Sequence, residues 1–276
     1  MNYVTHEKLY ADTMELERRL PRDIVGVVGV PRSGLLPASI IALHRNLPLA
    51  SVCGNRWLRA GDRGPEATSG AGLLLVIDDS CYRGTALSGA KPVVEFKWER
   101  DVVTAAVYGH PDTPADKQPD YVGRVVPGPR FFAWNMFHHA DLATAMLDMD
   151  GVLCHDPVYT DSTCEDKYVA WLPNAEPFNL PTVPVGAICT NRLQSRRAVT
   201  EAWLARYGVR YGDLFMSPYD TNAERKAGPA HGVRKGEIYG MSDCDLFIES
   251  ADNQARIIAH VSGKPVIALD TGEVYQ

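Results

Sequence analysis

The sequence predicts an α/β protein made of two doubly wound parallel-sheet domains, one after the other. The chain has 276 residues, enough for two domains of ordinary size. Apolar, β-rich runs alternate with helical segments, and these runs are almost continuously apolar, as in strands that are buried on both faces of a parallel sheet. A proline-rich, irregular stretch over residues 110–130 interrupts the alternation, which then restarts.

The first half begins with a predicted helix that follows Thr5, a suitable N-cap, and stops before Pro21. The polar, glycine-rich residues 59–70 predict a mobile loop. The remaining predicted elements are a strand over 23–30, a helix over 35–47, and strands over 48–54, 72–79 and 102–109.

We place the domain boundary at residue 140, which gives domains over 1–140 and 141–276. In the second half the helix that starts at residue 196 stops at Gly208, a natural C-terminal signal. Predicted strands cover 142–150, 183–190, 213–216, 243–250 and 264–269, and predicted helices cover 196–208 and 253–263.

Composition narrows the function classes. Hydrophobic residues make up 45% and charged residues 22%, as in ordinary globular proteins, and the net charge of −6 argues against nucleic acid as a partner. No apolar run approaches the roughly 20 residues of a membrane span, and the first residues lack a signal-peptide core. The six scattered cysteines form no CxxC pair, which favours reduced thiols and a cytoplasmic location over disulfides or a zinc site.

The first candidate site combines two strand ends. The segment VPRSG (Val30–Gly34) leads from a strand into a helix, so its amides and the helix N-terminus suit an anion. Arg32 adds a cation and Ser33 a hydroxyl. In VIDDSCYRGTAL (Val76–Leu87), two adjacent carboxylates end a buried strand and are followed by a glycine and a hydroxyl suited to a phosphate-binding turn. Carboxylates for sugar hydroxyls beside amides for a phosphate predict a phosphosugar pocket.

The second segment resembles the 5-phosphoribosyl-1-pyrophosphate (PRPP) signature of type I phosphoribosyltransferases, and VPRSG is similar to the pyrophosphate loop of that family. The resemblance implies that Asp78 and Asp79 bind the ribose hydroxyls and that Mg²⁺ bridges the pyrophosphate and the hydroxyls. The loop over 59–70 stands where the family has a flexible lid. The implied 5-phosphate loop consists of Ser80, Cys81, Tyr82, Arg83, Gly84 and Thr85, and the implied pyrophosphate loop of Arg32, Ser33 and Gly34.

The second candidate site starts from the segment DMDG. Asp148 and Asp150 alternate around Met149, a spacing that points two carboxylates the same way on a strand, and Gly151 allows a sharp turn after them. One carboxylate can then attack phosphorus while the other moves protons. A divalent cation is expected, because an anionic nucleophile is repelled by a phosphate dianion.

Together with later segments, DMDG resembles the four motifs of the haloacid dehalogenase (HAD) superfamily, in the order that the family has them. The resemblance implies that Asp148 is the nucleophile and Asp150 the acid/base, with Mg²⁺ held by Asp148, the carbonyl of Asp150 and Glu249. Asp252 is a further candidate metal ligand. Thr190 would bind a phosphoryl oxygen, and Lys235, with Lys226 as the alternative, would supply the fixed charge. The roughly 40 residues between Asp150 and Thr190 leave room for at most a small cap.

These resemblances imply a bifunctional enzyme, which transfers phosphoribose from PRPP to a small acceptor and then removes a phosphate, such as the 5-phosphate of the product. Tyr82 and Arg83 stand where many phosphoribosyltransferases have small residues or threonine. An alternative is therefore a phosphatase with a PRPP- or nucleotide-sensing domain, and a third, a protein or nucleic-acid phosphatase, rests on the small cap. The expected partners are PRPP, an unknown acceptor, a phosphate ester and, as in many such transferases, a second copy of the chain.

Overall fold

The computed structural model describes residues 1–54, 56–58 and 71–276. Its contacts divide the chain into two compact units, unit 1 (Met1–Trp134) and unit 2 (Asn135–Gln276). The division falls slightly before residue 140, the boundary that the sequence analysis uses. The predicted loop over 59–70 lies outside the described residues.

Unit 1 is a five-stranded parallel sheet with helices on both faces. Its strands follow the order β3-β2-β4-β5-β6, and β1 pairs with β7 in a separate two-stranded sheet. In chain order the elements are β1 (Asn2–Val4), α1 (His6–Glu17), β2 (Ile24–Gly29), α2 (Leu35–Arg45), β3 (Leu49–Ser51), β4 (Leu73–Ser80), α3 (Thr85–Trp98), β5 (Val102–Gly109), β6 (Tyr121–Val125) and β7 (Arg130–Phe132).

Side chains of β4 alternate between two apolar clusters, which explains why this strand is apolar at nearly every position. Leu75 and Ile77 pack in the cluster that includes α1 and α2, whereas Leu74 and Val76 pack in the cluster that includes α3. Burial on both faces excludes water from the strand, and its polar residues are confined to the carboxyl end.

Unit 2 is built around a six-stranded sheet of order β10-β9-β8-β11-β12-β13. All neighbouring strands are parallel except β12 and β13. The elements are β8 (Ala145–Leu147), α4 (Glu165–Trp171), β9 (Val185–Leu193), α5 (Arg197–Arg206), β10 (Tyr211–Ser217), α6 (Asn222–Ala227), α7 (His231–Met241), β11 (Leu246–Glu249), α8 (Asp252–Ser262), β12 (Val266–Ala268) and β13 (Val274–Tyr275). One face of the sheet packs on α7 and α8 through Tyr239, Ala255 and Ile258.

The predicted α/β class with parallel sheets is confirmed, and most predicted elements lie within a few residues of the observed ones. Thr5 caps α1 by accepting a hydrogen bond from the amide of Lys8 at 3.2 Å. β8 is shorter than predicted and ends at Leu147, so the DMDG segment follows the strand. Among the described residues, no helix is long and apolar enough to cross a membrane.

Two candidate active sites

The predicted pyrophosphate loop of unit 1 (Arg32, Ser33 and Gly34) lies against the end of β4, because β2 and β4 are neighbours in the sheet. The amide of Val30 donates to the carbonyl of Ile77 at 2.9 Å. A Cβ on Gly34 would stand 2.5 Å from the carbonyl oxygen of Val30 and 2.8 Å from Oδ1 of Asp78, so no side chain fits there. Arg32 is exposed and Ser33 half-buried at the start of α2. The start of α2 at Gly34 therefore lies next to Asp78, and Arg32 and Ser33 directly precede it in the chain.

Asp78 and Asp79 are both buried at the end of β4, but their carboxylates have different partners. Oδ1 of Asp78 accepts from the amide of Asp79 at 2.9 Å, and Oδ2 of Asp79 accepts from the indole of Trp134 at 2.7 Å. Burial, with the nearby Asp79 charge second, raises the pKa of Asp78 to about 8. Burial of Asp78 therefore favours its neutral form.

The 5-phosphate-type loop after β4 ends in a turn that only glycine can make. Gly84 has φ +70°, and a Cβ there would lie 2.4 Å from the carbonyl oxygen of Lys117. It opens α3, whose first amides lack helical partners. Tyr82 is half exposed and packs edge-on against His110, with ring centroids 4.4 Å apart.

A large cavity of unit 1, of about 970 Å³, lies away from these loops. Its lining consists of Val52, Cys53, Pro92, Val93, Glu95, Phe96, Lys97 and Glu99, none of which is a predicted PRPP residue.

In unit 2, Asp148 follows β8 and forms an ion pair with Lys235. Nζ of Lys235 lies 2.8 Å from Oδ2 of Asp148 and 2.7 Å from Oε2 of Glu249, and all three residues are at most 5% exposed. Burial, followed by the Glu249 charge, raises the pKa of Asp148, and Lys235 opposes this shift. Burial alone would lower the pKa of Lys235, but the two carboxylates raise it. Lys226, the alternative cation, is exposed on α6.

Asp150 lines the same pocket as Asp148, but Arg192 holds its carboxylate. Nη2 of Arg192 lies 2.5 Å from Oδ1 of Asp150, and Nε lies 3.2 Å from each carboxylate oxygen. Gly151 follows with φ +78°, and a Cβ there would lie 2.5 Å from Cβ of Ser250. Thr190 is 1% exposed and lines the pocket, which has a volume of about 390 Å³.

The two acidic residues predicted as further metal ligands, Glu249 and Asp252, are not among the residues that line the pocket. Glu249 is fully buried, is absent from the pocket lining, and accepts from the amides of Ser250 and Ala251 as well as from Lys235. Asp252, in the first turn of α8, bonds Arg256, Thr271 and Tyr275. Among the described residues, no three histidine, cysteine or acidic side chains form a cluster able to hold a metal ion. Asp148 and Asp150 line the pocket, Glu249 shares the ammonium of Lys235 with Asp148, and Asp252 bonds other partners. The predicted set of metal ligands stays a prediction.

Sequence reasoning missed several residues of this pocket. Asp161 is 8% exposed, and its carboxylate lies 3.5 Å from Nη2 of Arg196 and 3.6 Å from Nη1 of Arg225. Arg192 could have been predicted as a pocket residue, because it stands two positions after Thr190 on β9 and therefore on the same face of the strand. The other missed lining residues include Asp156, Tyr168 on α4, Asn191 on β9 and His231 at the start of α7, none of which was predicted from the sequence.

No protein-family model and no curated protein matches this chain. Similar solved structures include the purine phosphoribosyltransferase from Pyrococcus horikoshii Ot3, 21% identical, covering 48% of this chain and 92% of that one with a TM-score of 0.37. The Helicobacter pylori xanthine-guanine-hypoxanthine phosphoribosyltransferase is 17% identical, with the same coverages and a TM-score of 0.39. The orotate phosphoribosyltransferase from Aeropyrum pernix is 17% identical, covering 42% and 71%, with a TM-score of 0.32.

At these identities and TM-scores the similarities do not carry a functional assignment. The resemblance of residues 141–276 to haloacid dehalogenases stays a prediction. We base the proposals below on the geometry of the two sites.

Proposed function

We propose that unit 2 is a phosphatase that works through an aspartyl-phosphate on Asp148. The observation that carries the proposal is the position of Lys235, whose ammonium lies within 2.8 Å of Asp148 and Glu249. Asp148 lines a pocket together with Asp150 and Thr190. A buried nucleophilic carboxylate, a fixed ammonium, a second carboxylate and a hydroxyl are the groups that phosphoryl transfer to aspartate requires.

In the proposed reaction, an oxygen of Asp148 attacks phosphorus and the ester oxygen leaves with a proton from Asp150. A water molecule then attacks the phosphorus of the aspartyl-phosphate and gives a proton to Asp150. Inorganic phosphate leaves, and Asp148 is regenerated as a carboxylate. Lys235 stabilises the charge on the carboxylate and on the phosphoryl oxygens, and the hydroxyl of Thr190 donates to a phosphoryl oxygen.

The charges around Asp148 suit a magnesium ion, and the predicted group of four ligands stays a prediction. Asp148 and Glu249 share the one ammonium of Lys235, which leaves an excess negative charge where a phosphate must bind. Mg²⁺ commonly binds through one or two carboxylates and keeps several waters. Asp148 and the carbonyl of Asp150 would hold it. When bound, it would neutralise charge on the phosphoryl oxygens.

The test uses p-nitrophenyl phosphate and the full chain. We expect the wild-type protein to hydrolyse this ester and Asp148→Asn to lose the activity, because an amide is not a nucleophile for phosphorus. Asp213→Asn, at an exposed position of β10, is the matched control and should keep the activity. Full activity in Asp148→Asn would exclude Asp148 as the nucleophile.

We also propose that unit 1 binds PRPP and transfers its phosphoribosyl group to a small acceptor. Two anion-type turns and two buried acids meet at the ends of β2 and β4, and the carboxylates and amides there suit a phosphorylated sugar. A sensor that binds PRPP without transfer is the alternative. The hydrogen bond from Trp134 to Asp79 favours it, because one carboxylate oxygen is already engaged.

Pyrophosphate release separates transfer from sensing. The protein is incubated with PRPP, Mg²⁺ and a panel of nucleobases and other heterocycles, and pyrophosphate is measured. A transferase releases pyrophosphate in an acceptor-dependent way. Calorimetric binding of PRPP with no release for any acceptor would favour the sensor, and absence of binding would exclude both functions for unit 1.

A further inference from the structure

Arg192 is a fully buried arginine that lines the pocket of unit 2 and takes no part in the bond-making steps of the proposed reaction. Its side chain is 0% exposed, and it makes the closest ion pair of Asp150. The cost of burying a guanidinium is offset only by well-placed partners. Nε and Nη2 both bond the carboxylate of Asp150, Nη1 bonds Thr200 at 3.3 Å, and Nη2 also lies 3.4 Å from Sγ of Cys154.

The hydrogen bonds fix the orientation of the Asp150 carboxyl group. A guanidinium that bonds through two nitrogens sets the plane of the carboxylate, which a lysine ammonium cannot do. The thiol of Cys154 also donates a hydrogen bond to Oδ1 of Asp150, at 3.3 Å. The side chain of Asp150 remains 21% exposed and lines the pocket.

The guanidinium of Arg192 also contacts the chain segment between β8 and β9. Its guanidinium carbon lies 5.6 Å from the ring centroid of Trp171, at the end of α4. We infer that Arg192 is the positioning residue for Asp150, aiming its carboxylate at the leaving oxygen of the substrate. The inference rests on the proposed phosphatase function of unit 2.

The test compares two esters that differ in their need for a proton. A p-nitrophenolate leaves as a stable anion, whereas the alkoxide of glycerol 2-phosphate must be protonated as it leaves. We expect Arg192→Lys to lower kcat for glycerol 2-phosphate by about 10-fold or more beyond its effect on p-nitrophenyl phosphate, since general acid catalysis contributes roughly 10²–10⁴-fold. KM should change little for either ester.

The matched control is Arg234→Lys. Arg234 is also buried in unit 2, but it bonds the carbonyls of Thr190 and Met216 and the side chain of Asn191, and no carboxylate. Any loss in this variant should be equal for the two esters. In the Asp150→Asn background, Arg192→Lys should add no further difference between the esters, because Arg192 acts through Asp150.

Three outcomes decide the inference. Equal losses for the two esters in Arg192→Lys overturn it. If that variant does not fold, Trp171→Leu replaces it, with a smaller difference expected in the same direction, and equal losses there overturn it too. If the wild-type protein hydrolyses neither ester, the proposed phosphatase function fails and the inference fails with it.

Discussion

Lys235 has a double role at the scale of single residues, because it stabilises the fold and supplies charge to the site. It is 1% exposed and lies between two buried carboxylates. Removing the ammonium would leave both carboxylates without their cation in a region of low dielectric constant. A buried charge without a partner is strongly destabilising.

We therefore expect Lys235→Met to lower the free energy of unfolding by about 3–5 kcal/mol and to abolish phosphatase activity. Urea denaturation and p-nitrophenyl phosphate hydrolysis are the measurements. Lys226→Met is the control, because Lys226 is exposed on α6 and should change stability by no more than about 0.5 kcal/mol. Loss of activity in the Lys226 variant alone would show that the wrong lysine has been assigned.

We expect the raised pKa of Asp78 to make the free energy of unfolding depend on pH. Burial raises the pKa of Asp78 in the folded protein to about 8, from an ordinary value of 3.8. At a pH below 3.8 the carboxyl group is neutral in both the folded and the unfolded protein, so it does not change the free energy of unfolding. As pH rises, the unfolded chain ionises first, so stability decreases until the folded pKa is passed and does not decrease further from this group.

Asp78→Asn should accordingly flatten the decrease in the free energy of unfolding between about pH 4 and pH 8. Urea denaturation at several pH values measures it, with Asp116→Asn, at an exposed position, as the control. An unchanged slope in the Asp78 variant would mean that Asp78 ionises normally in the folded protein.

For single residues, a sequence motif predicts which groups lie close together, but it does not predict how deeply each group is buried. The structure brings Asp148, Asp150, Thr190 and Lys235 to one pocket, although their catalytic roles stay predictions. Glu249 was predicted as a metal ligand from its place at a strand end, but its depth behind Lys235 cannot be read from a strand pattern. Asp252 stands in the first turn of a helix, where an acidic side chain is common without any metal.

At the scale of elements, the turn from β2 into α2 depends on close backbone contact. A Cβ at Gly34 would stand 2.5 Å from the carbonyl oxygen of Val30. We expect Gly34→Ala to destabilise the protein by about 1–3 kcal/mol, as other overpacked sites do, and to weaken PRPP binding. Urea denaturation and titration calorimetry with PRPP measure the two effects.

Gly89 is the control for this substitution. It lies in α3, and a Cβ there would have no neighbour within 4 Å. Gly89→Ala should stabilise the protein by roughly 0.5–1 kcal/mol, because alanine loses less conformational freedom in a helix. Equal behaviour of the two variants would contradict the crowding at Gly34.

Two long helices, α3 (Thr85–Trp98) and α7 (His231–Met241), are missing from the predicted elements, and the other missed elements are short or marginal. β6 (Tyr121–Val125) lies in the proline-rich stretch and forms an edge of the sheet of unit 1, where half-exposed residues show no continuous apolar run. α6 has a sequence signature, a capping box of Thr221 and Glu224, but it spans only six residues and buries none of them. Strands such as β5, buried along nearly their whole length, were predicted at their observed ends.

At the scale of the whole molecule, each unit has its own apolar clusters and its own candidate site. The two proposed reactions are chemically consecutive, because transfer from PRPP yields a 5-phosphate ester, which is the substrate class of a phosphatase. In a reaction with PRPP, Mg²⁺ and cell extract, Asp148→Asn should accumulate a phosphorylated ribosyl product that the wild-type protein converts to the dephosphorylated form. Mass spectrometry identifies both.

The same experiment tests the assignment of one reaction to each unit. PRPP consumption should be equal in the wild-type protein and in Asp148→Asn, since the substitution lies in unit 2. If Asp148→Asn also stops consuming PRPP, the assignment of one reaction to each unit is wrong.

The bond between Trp134 and Asp79 has a spectroscopic consequence. A sugar hydroxyl that engages Asp79 must alter or share the indole bond, and indole emission responds to such a change in polarity. Although the chain has five tryptophans, Trp134→Phe identifies the contribution of this one. Intrinsic fluorescence would then report the arrival of a ligand at the end of β4 in real time, whether or not any chemistry follows.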